Sequence, residues 1–334
     1  MKQILQKMID RVNLTQTEMS EVFDRIMNGD LTPTQIGAFI MALCMKGESV
    51  DELTGAAGSM RRYAVLIDTG GLPVVDTCGT GGDSTNTFNV STTAALVVAG
   101  AGVPVAKHGN RAVTSKCGSA DVLAELGVNI DAPPETVEEC IKSIGIGFLF
   151  APRLHPAMKH AMGPRRELGI RTIFNMLGPL TNPAGAKGQI LGVFDPELTD
   201  PFAQVLRALG SDRAFIVHGH DGMDEITVTT TTRMTELRDN TIKTYEFDPR
   251  HLIGDYHRIE DIAGGTPSEN AEIIKRVLSG EPGACRDIVL LNAAAGIVAG
   301  HKADSLEQGY DLARESIDSG QASDILKKLI ENSK

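Results

Sequence analysis

Residues 1–70 carry apolar positions at helical spacing, interrupted by polar signals that mark starts and stops. Ile4, Leu5, Met8 and Ile9 form a first stripe, Met19, Val22, Phe23 and Ile26 a second, and Ile36, Phe39, Ile40 and Leu43 a third. Recurrence at i, i+3, i+4 and i+7 describes one face of a helix. Three capping boxes, Thr15-x-x-Glu18, Thr32-Pro33-x-Gln35 and Ser49-x-x-Glu52, stand at the heads of such runs. In each, the hydroxyl accepts a bond from the third residue's N–H, and that residue's side chain returns one. Asn28-Gly29 and Lys46-Gly47 read as stops, because glycine adopts the left-handed conformation that closes a helix. Helices this short must pack on one another or on a partner.

After Gly70-Gly71 the pattern changes. Short β-branched runs at 74–76, 103–106, 147–150, 189–194 and 214–217 alternate with helical runs such as 91–99 and 121–126. That alternation predicts a mainly parallel sheet with helices on both faces, where ligands bind beyond the carboxyl ends of the strands. Residues 227–232 and 241–247 read as additional, antiparallel strands, and the tail from Asp287 as helices with small-residue packing at 293–299. Residues 156–178 break the alternation with a helix at 156–168 and another apolar run at 170–176. The organisation expected is a helical domain over 1–70, joined in space by about 160–185, and an α/β domain over 71–334.

Charge narrows the possible partners. The chain has 334 residues and a net charge of −11, which opposes non-specific attraction to nucleic acid or anionic membranes. No apolar run reaches about 18 residues, and Met1-Lys2-Gln3 opens no signal-peptide pattern. The five cysteines are scattered without a C-x-x-C. This favours a reducing, cytoplasmic setting and speaks against a zinc cluster or a disulfide frame. Glycine, at 35 of 334 residues, exceeds the usual ~7%, and the excess gathers in turns beside polar motifs.

The densest of these turns is Val74-Val75-Asp76-Thr77-Cys78-Gly79-Thr80-Gly81-Gly82-Asp83, followed by Asn89-Val90-Ser91-Thr92 and an apolar run. A strand, a glycine turn and a helix start describe a phosphate site: glycines admit close backbone approach, and the helix start presents unpaired N–H groups. The P-loop motif fails because no Lys-Ser or Lys-Thr follows. The dinucleotide fingerprint fails because Gly79-x-Gly81 runs on to Ser84. Asp83 beside a phosphate needs a cation between the two anions, so the ligand is expected to arrive with a metal ion. A plain glycine-rich loop is the competing reading.

Three further segments carry chemistry. Lys107-His108-Gly109-Asn110-Arg111-Ala112-Val113-Thr114-Ser115-Lys116-Cys117-Gly118-Ser119 follows the 103–106 run. Its cations, hydroxyls and glycines suit a polyphosphate, with Ser119 capping the next helix; a solvated basic loop is the alternative. Met162-Gly163-Pro164-Arg165-Arg166 places arginines on a rigid element, where a guanidinium grips a carboxylate in bidentate fashion or simply lies at the surface. His218-Gly219-His220-Asp221-Gly222-Met223-Asp224-Glu225 follows the 214–217 run. Its adjacent acids suit a hard divalent cation that bridges to phosphates, and its His-x-His is a weak zinc signal.

Together with 169–175 and 177–183, these segments resemble the anthranilate phosphoribosyltransferase family of tryptophan biosynthesis over nearly the whole chain. The resemblance implies the nucleoside-phosphorylase/phosphoribosyltransferase-like α/β architecture: a small helical domain, a large α/β domain with a central, mostly parallel sheet, a cleft between them, and a homodimer through the helical part. It implies that Gly79, Gly82, Asp83, Thr87, Asn89, Val90, Ser91 and Thr92 hold phosphoribosyl pyrophosphate. Lys107, His108, Gly109, Asn110, Arg111, Ala112, Val113, Thr114, Ser115 and Ser119 would fold over its phosphates. Ser91 would touch one Mg²⁺ while Asp224 and Glu225 hold another, two ions per site. Gly79, Asn110 and Arg165 would contact anthranilate. Thr114 and Cys117 stand where serine is commoner in the family.

In the implied reaction an aromatic amine displaces pyrophosphate at the ribose C1, through a transition state like that of glycoside cleavage. The amine is neutral at pH 7, so no residue is assigned as general base, and Lys107 is expected to stabilise the leaving group. Two alternatives are a pyrimidine nucleoside phosphorylase of the same superfold, which needs no metal acids, and a non-catalytic nucleic-acid-binding relative, which the net charge opposes.

Overall fold

The computed structural model describes residues 1–83, 85–112 and 116–334. Four helices open the chain: α1 (Lys2–Ile9), α2 (Gln16–Asn28), α3 (Pro33–Lys46) and α4 (Val50–Arg62). All three capping boxes form: the Thr15, Thr32 and Ser49 hydroxyls accept from the N–H groups of Glu18, Gln35 and Glu52. Gly29 ends α2 at φ 79° and Gly47 ends α3 at φ 88°. The second and third apolar stripes are buried throughout. In α1 only Met8 is buried, while Ile9 is 71% exposed.

Glu52 also serves beyond its cap. It is fully buried, accepts from Leu14 N at 2.9 Å, and pairs with Lys46 Nζ at 2.8 Å. Gly55 lets α4 lie against α2, since a Cβ there would stand 2.3 Å from the Gln16 carbonyl oxygen. The helices Lys159–Leu168 and Ile173–Leu177 pack on this bundle. Ala161, Ile173, Phe174 and Leu177 share one apolar core with Phe23, Phe39 and Leu43. That core continues under the sheet through Leu191, Phe202 and Ile216.

The sheet has seven strands: β1 (Val75–Gly79), β2 (Val105–Gly109), β3 (Ile146–Phe150), β4 (Gly188–Gly192), β5 (Arg213–Gly219), β6 (Thr232–Arg238) and β7 (Thr241–Phe247), in the order β3-β2-β1-β4-β5-β6-β7. β1 to β5 are parallel; β6 and β7 add antiparallel. The strand order reverses between β1 and β4, which makes the crevice beyond their carboxyl ends the expected ligand position. Helix α5 (Val90–Gly100) follows β1 and is buried from Thr92 onward, packing on Ala284–Ala299 and Gln321–Asn332.

Two expectations need correction. Residues 227–232 do not form a strand; the strand is β6, Thr232–Arg238. The Thr227 and Thr229 hydroxyls both donate to Asp221 Oδ2 at 2.5 Å, so β-branched residues here build a hydrogen-bonded loop. The run placed at 103–106 begins and ends later, as β2. Lys107 and His108 therefore lie within a strand and are buried at 3% and 7% exposure, rather than on the loop that follows.

Candidate functional site

The site lies at the carboxyl ends of β1, β2, β4 and β5. β1 runs out at Gly79, where Thr80 N donates to Gly192 O at 2.9 Å and Phe194 N donates to Thr80 Oγ1 at 3.1 Å. Gly81 and Gly82 then take φ of 66° and 79°, which side chains disfavour. Gly81 N donates to Asp224 Oδ2 at 2.9 Å, joining this turn to the loop after β5. Asp83 accepts from Thr85 N and Oγ1. Thr87 forms a bridge with Ala263.

The first turn of α5 faces the same crevice. Asn89 is its N-cap position but makes no capping bond. Its amide instead donates to Cys117 O at 3.1 Å and its oxygen accepts from Asn270 at 2.9 Å. Ser91 N donates to Glu225 Oε1 at 3.2 Å. Val90 and Thr92 are each 1% exposed, so their side chains face the core. The Thr92 hydroxyl has no hydrogen-bond partner among the described residues.

From β2, Lys107 Nζ donates to Thr77 O. Burial lowers the pKa of its ammonium, opposed by the negative groups around it, Asp76 first and Glu225 among the rest. His108 N donates to Asp76 Oδ1 at 3.1 Å, and His108 Nδ1 lies 3.1 Å from Gly178 O. A carbonyl only accepts, so Nδ1 carries the proton and His108 Nε2 accepts from His155 Nε2, 3.2 Å away. Burial first and then His155 bring His108 down to about 3, and burial brings His155 down to about 4. Both rings are neutral at pH 7.

The loop after β2 is stapled by Asp121, which sequence reasoning missed. Its carboxylate accepts from Ala112 N at 2.9 Å, Gly118 N at 3.0 Å and Arg111 Nη1 at 2.9 Å. Arg111 is thus already paired with an acid rather than held as a lone cation. Ser119 does not cap the next helix: α6 (Ser119–Glu125) begins at Ser119 itself, with Gly118 at the cap position. The Ser119 hydroxyl instead accepts from Asn110 N and donates to Asn110 O, each at 3.2 Å. Gly109 leaves it room, as a Cβ there would stand 2.3 Å from Ser119 Oγ. Val113, Thr114 and Ser115 lie outside the described residues.

The histidines at the end of β5 and just after it are engaged elsewhere. His218 Nδ1 lies 2.7 Å from Val193 O, and His220 pairs with Glu246 at 2.7 Å. Asp221 is taken up by Thr227 and Thr229. Asn292, a second residue the sequence did not flag, holds the loop by bonding both Ile226 N and Ile226 O at 2.9 Å. Asp224 and Glu225 remain, facing the glycine turn. Burial, and then the adjacent Asp83, raise the Asp224 carboxyl above the usual carboxylate range. Burial, and then Asp224, raise Glu225 well above it, with Lys107 opposing.

Carboxylates gathered in this way favour a cation that relieves their repulsion. Their hard oxygen donors fit Mg²⁺. No complete ligand set of three His, Cys, Asp or Glu converges among the described residues. Mg²⁺ characteristically leaves positions to water and substrate phosphates.

Arg165, on the helix Lys159–Leu168, is half-buried and stands 5.0 Å over the Phe174 ring. No carboxylate pairs with it among the described residues, and burial lowers its pKa. Arg166 is exposed. Arg171, given no role from the sequence, stacks 3.8 Å over Phe194 and donates to Gly82 O at 3.0 Å.

The family model for a glycosyl transferase family helical bundle domain matches residues 2–64, and that for the a/b domain of the same family matches residues 71–323. The chain is 58% identical to an anthranilate phosphoribosyltransferase from Desulfosudis oleivorans, over 99% of this chain and 98% of that one. It is 54% identical to one from Acetivibrio thermocellus, over 99% and 96%. The crystal structure of anthranilate phosphoribosyltransferase from Thermus thermophilus superposes with a TM-score of 0.94 at 42% identity, covering 99% of both chains. That from Saccharomyces cerevisiae in complex with PRPP and Mg gives 0.88 at 32%, covering 99% and 97%.

Proposed function

This chain belongs to the anthranilate phosphoribosyltransferase family, and we propose that it joins the amine of anthranilate to C1 of 5-phosphoribosyl 1-pyrophosphate, releasing pyrophosphate, in the second step from chorismate to tryptophan. The observation that carries this reading is the set of acids Asp83, Asp224 and Glu225 around a glycine turn and a helix start, with Lys107 beneath them. A phosphorolytic enzyme of the same superfold would leave those acids facing a bare phosphate.

In this reading Gly79, Gly82, Asp83, Thr87 and the 89–92 segment cradle phosphoribosyl pyrophosphate. Val90 and Thr92 contribute backbone alone, because their side chains are buried. The loop at 109–115, which follows the buried Lys107 and His108 of β2, and Ser119 close over the phosphates. Asp224 and Glu225 hold one Mg²⁺ and Ser91 touches a second. The ion these residues would hold would supply positive charge to offset that of the leaving pyrophosphate. Lys107, buried beside Asp76 and Glu225, is placed to stabilise the leaving group. Arg165 holds the anthranilate carboxylate beside Gly79 and Asn110, and so aims a neutral amine at C1. No base is required of the protein. His108 and His155, both neutral and buried, are too weakly basic to serve as one.

The reading includes a helical unit over 1–70 with about 160–185, an α/β unit over 71–334, and a homodimer through the helical part. Exposed Ile9, Met41 and Met45 on α1 and α3 support the pairing. No helix among the described residues is long and apolar enough to cross a membrane. The cysteines stand as thiols, which supports a cytoplasmic setting. Loss of anthranilate fluorescence on mixing with phosphoribosyl pyrophosphate and Mg²⁺ tests the whole. No loss under any Mg²⁺ concentration would overturn it.

A further inference from the structure

We propose that Arg171 is a positioning residue for the diphosphate site, one that fixes the orientation of the Gly82–Asp83 peptide. Gly81 and Gly82 both have positive φ. Two successive glycines give the turn no stiffness of its own, so its shape is set by what holds it from outside. Thr80 is anchored to β4 and Phe194; on the two glycines themselves, among the described residues, two bonds do so: Gly81 N to Asp224, and Arg171 Nη2 to Gly82 O at 3.0 Å. The first uses a carboxylate that a cation also claims. The second depends on no titrating acid.

Arg171 is itself held on two sides. Its guanidinium lies 3.8 Å over Phe194, whose N–H bonds Thr80 in the same turn. Its carbonyl accepts from Cys44 Sγ of α3 at 3.6 Å. The fit to the turn is tight, since a Cβ on Gly82 would stand 1.9 Å from Arg171 Nη2. The guanidinium occupies the space of the side chain that residue 82 lacks.

The geometry of the peptide gives this contact a function. No peptide among the described residues is cis, and in a trans peptide the C=O and the next N–H point in opposite directions. Drawing Gly82 O toward Arg171 therefore turns Asp83 N–H away from it, where it is available to an anion. Arg171 thus sets a donor for the phosphate ligand without touching that ligand.

The inference rests on the substrate reading above, and the test separates the two. Arg171→Ala should raise the KM for phosphoribosyl pyrophosphate about tenfold, equivalent to about 1.4 kcal/mol, with kcat within about threefold and the anthranilate KM within about twofold. Arg171→Lys keeps a donor but loses the planar stack, so it should recover part of the loss. Phe194→Leu removes the stack while keeping Arg171, and should shift the same KM by a smaller factor. It carries the test if Arg171→Ala fails to fold. Equal rises in both KM values, a loss in kcat alone, or no change in the Lys and Leu variants would overturn the proposal. Calorimetric titration of phosphoribosyl pyrophosphate with Mg²⁺ reads the same effect as weaker binding. It answers for Arg171 even if the wild type does not consume anthranilate.

Discussion

Gly79 and Gly192 are register partners at the carboxyl ends of β1 and β4, and neither has space for a methyl group. A Cβ on Gly79 would stand 2.5 Å from Asp224 Oδ2, and one on Gly192 would stand 1.5 Å from the Asp224 carbonyl oxygen. The acidic loop settles onto a floor made by two bare strand ends. Gly192→Ala must therefore push Asp224 away from the glycine turn. We expect an Mg²⁺ half-saturation about tenfold higher, as for Asp224→Asn, with the anthranilate KM nearly constant. A metal titration of the initial rate checks this, and an unchanged titration would exclude the role of Asp224.

Arg165 is a half-buried cation over Phe174 with no acid to neutralise it among the described residues. Arg165→Ala should raise the anthranilate KM by about 10–100-fold, as loss of a charged hydrogen-bonding partner does. The KM for phosphoribosyl pyrophosphate should change far less. Comparable effects on both substrates would show that the guanidinium does not hold the carboxylate.

Stability has its own weak point far from the site. Glu52→Gln leaves Lys46 buried without its counter-charge, at side-chain exposures of 3% and 0% for the pair. Breaking such a pair costs about 3–5 kcal/mol. Urea denaturation should give a loss near the upper end of that range, because an amide has a single acceptor oxygen and can satisfy Leu14 N or Ser49 N but not both.

The neutral pair His108 and His155 predicts acid sensitivity. Their folded pKa values of about 3 and about 4 lie below the ordinary 6.5. Between these limits the unfolded chain binds more protons, so stability is complete above pH 6.5 and falls as pH drops toward 4. His155 should account for about 2 kcal/mol between pH 7 and pH 5. Urea unfolding of His155→Gln at the two pH values should show a difference smaller by that amount than in the wild type.

What the chain discloses locally and what it conceals divide along a physical line. The capping boxes at Thr15, Thr32 and Ser49 and the stop at Gly29 involve groups a few residues apart, and the structure shows each of them. The glycine turn and the start of α5 were legible for the same reason. Asn292 and Arg171 were not, because their roles consist of bonds to segments distant in sequence: Arg171 and Gly82 are separated by 89 residues. Asp121 bonds Gly118, Ala112 and Arg111 close by in the chain, but to an irregular loop whose shape periodicity does not reveal. The 227–232 run misled because threonine favours strands on average, while here its hydroxyls close a loop on Asp221. Lys107 was placed on a loop because a charge is rarely buried in a strand, and its bond to Thr77 O is invisible to periodicity.

Asn89 has a mechanical consequence. One amide side chain joins the head of α5, the Cys117 carbonyl and, 181 residues onward, Asn270 on the helix Pro267–Leu278. A ligand that displaces the first turn of α5 must carry the loop before α6 and a helix of the distal half along with it, or break two hydrogen bonds. Occupancy at the crevice would then be felt as strain in the helix that carries Asn270. Amide exchange along Pro267–Leu278 would be the place to detect it.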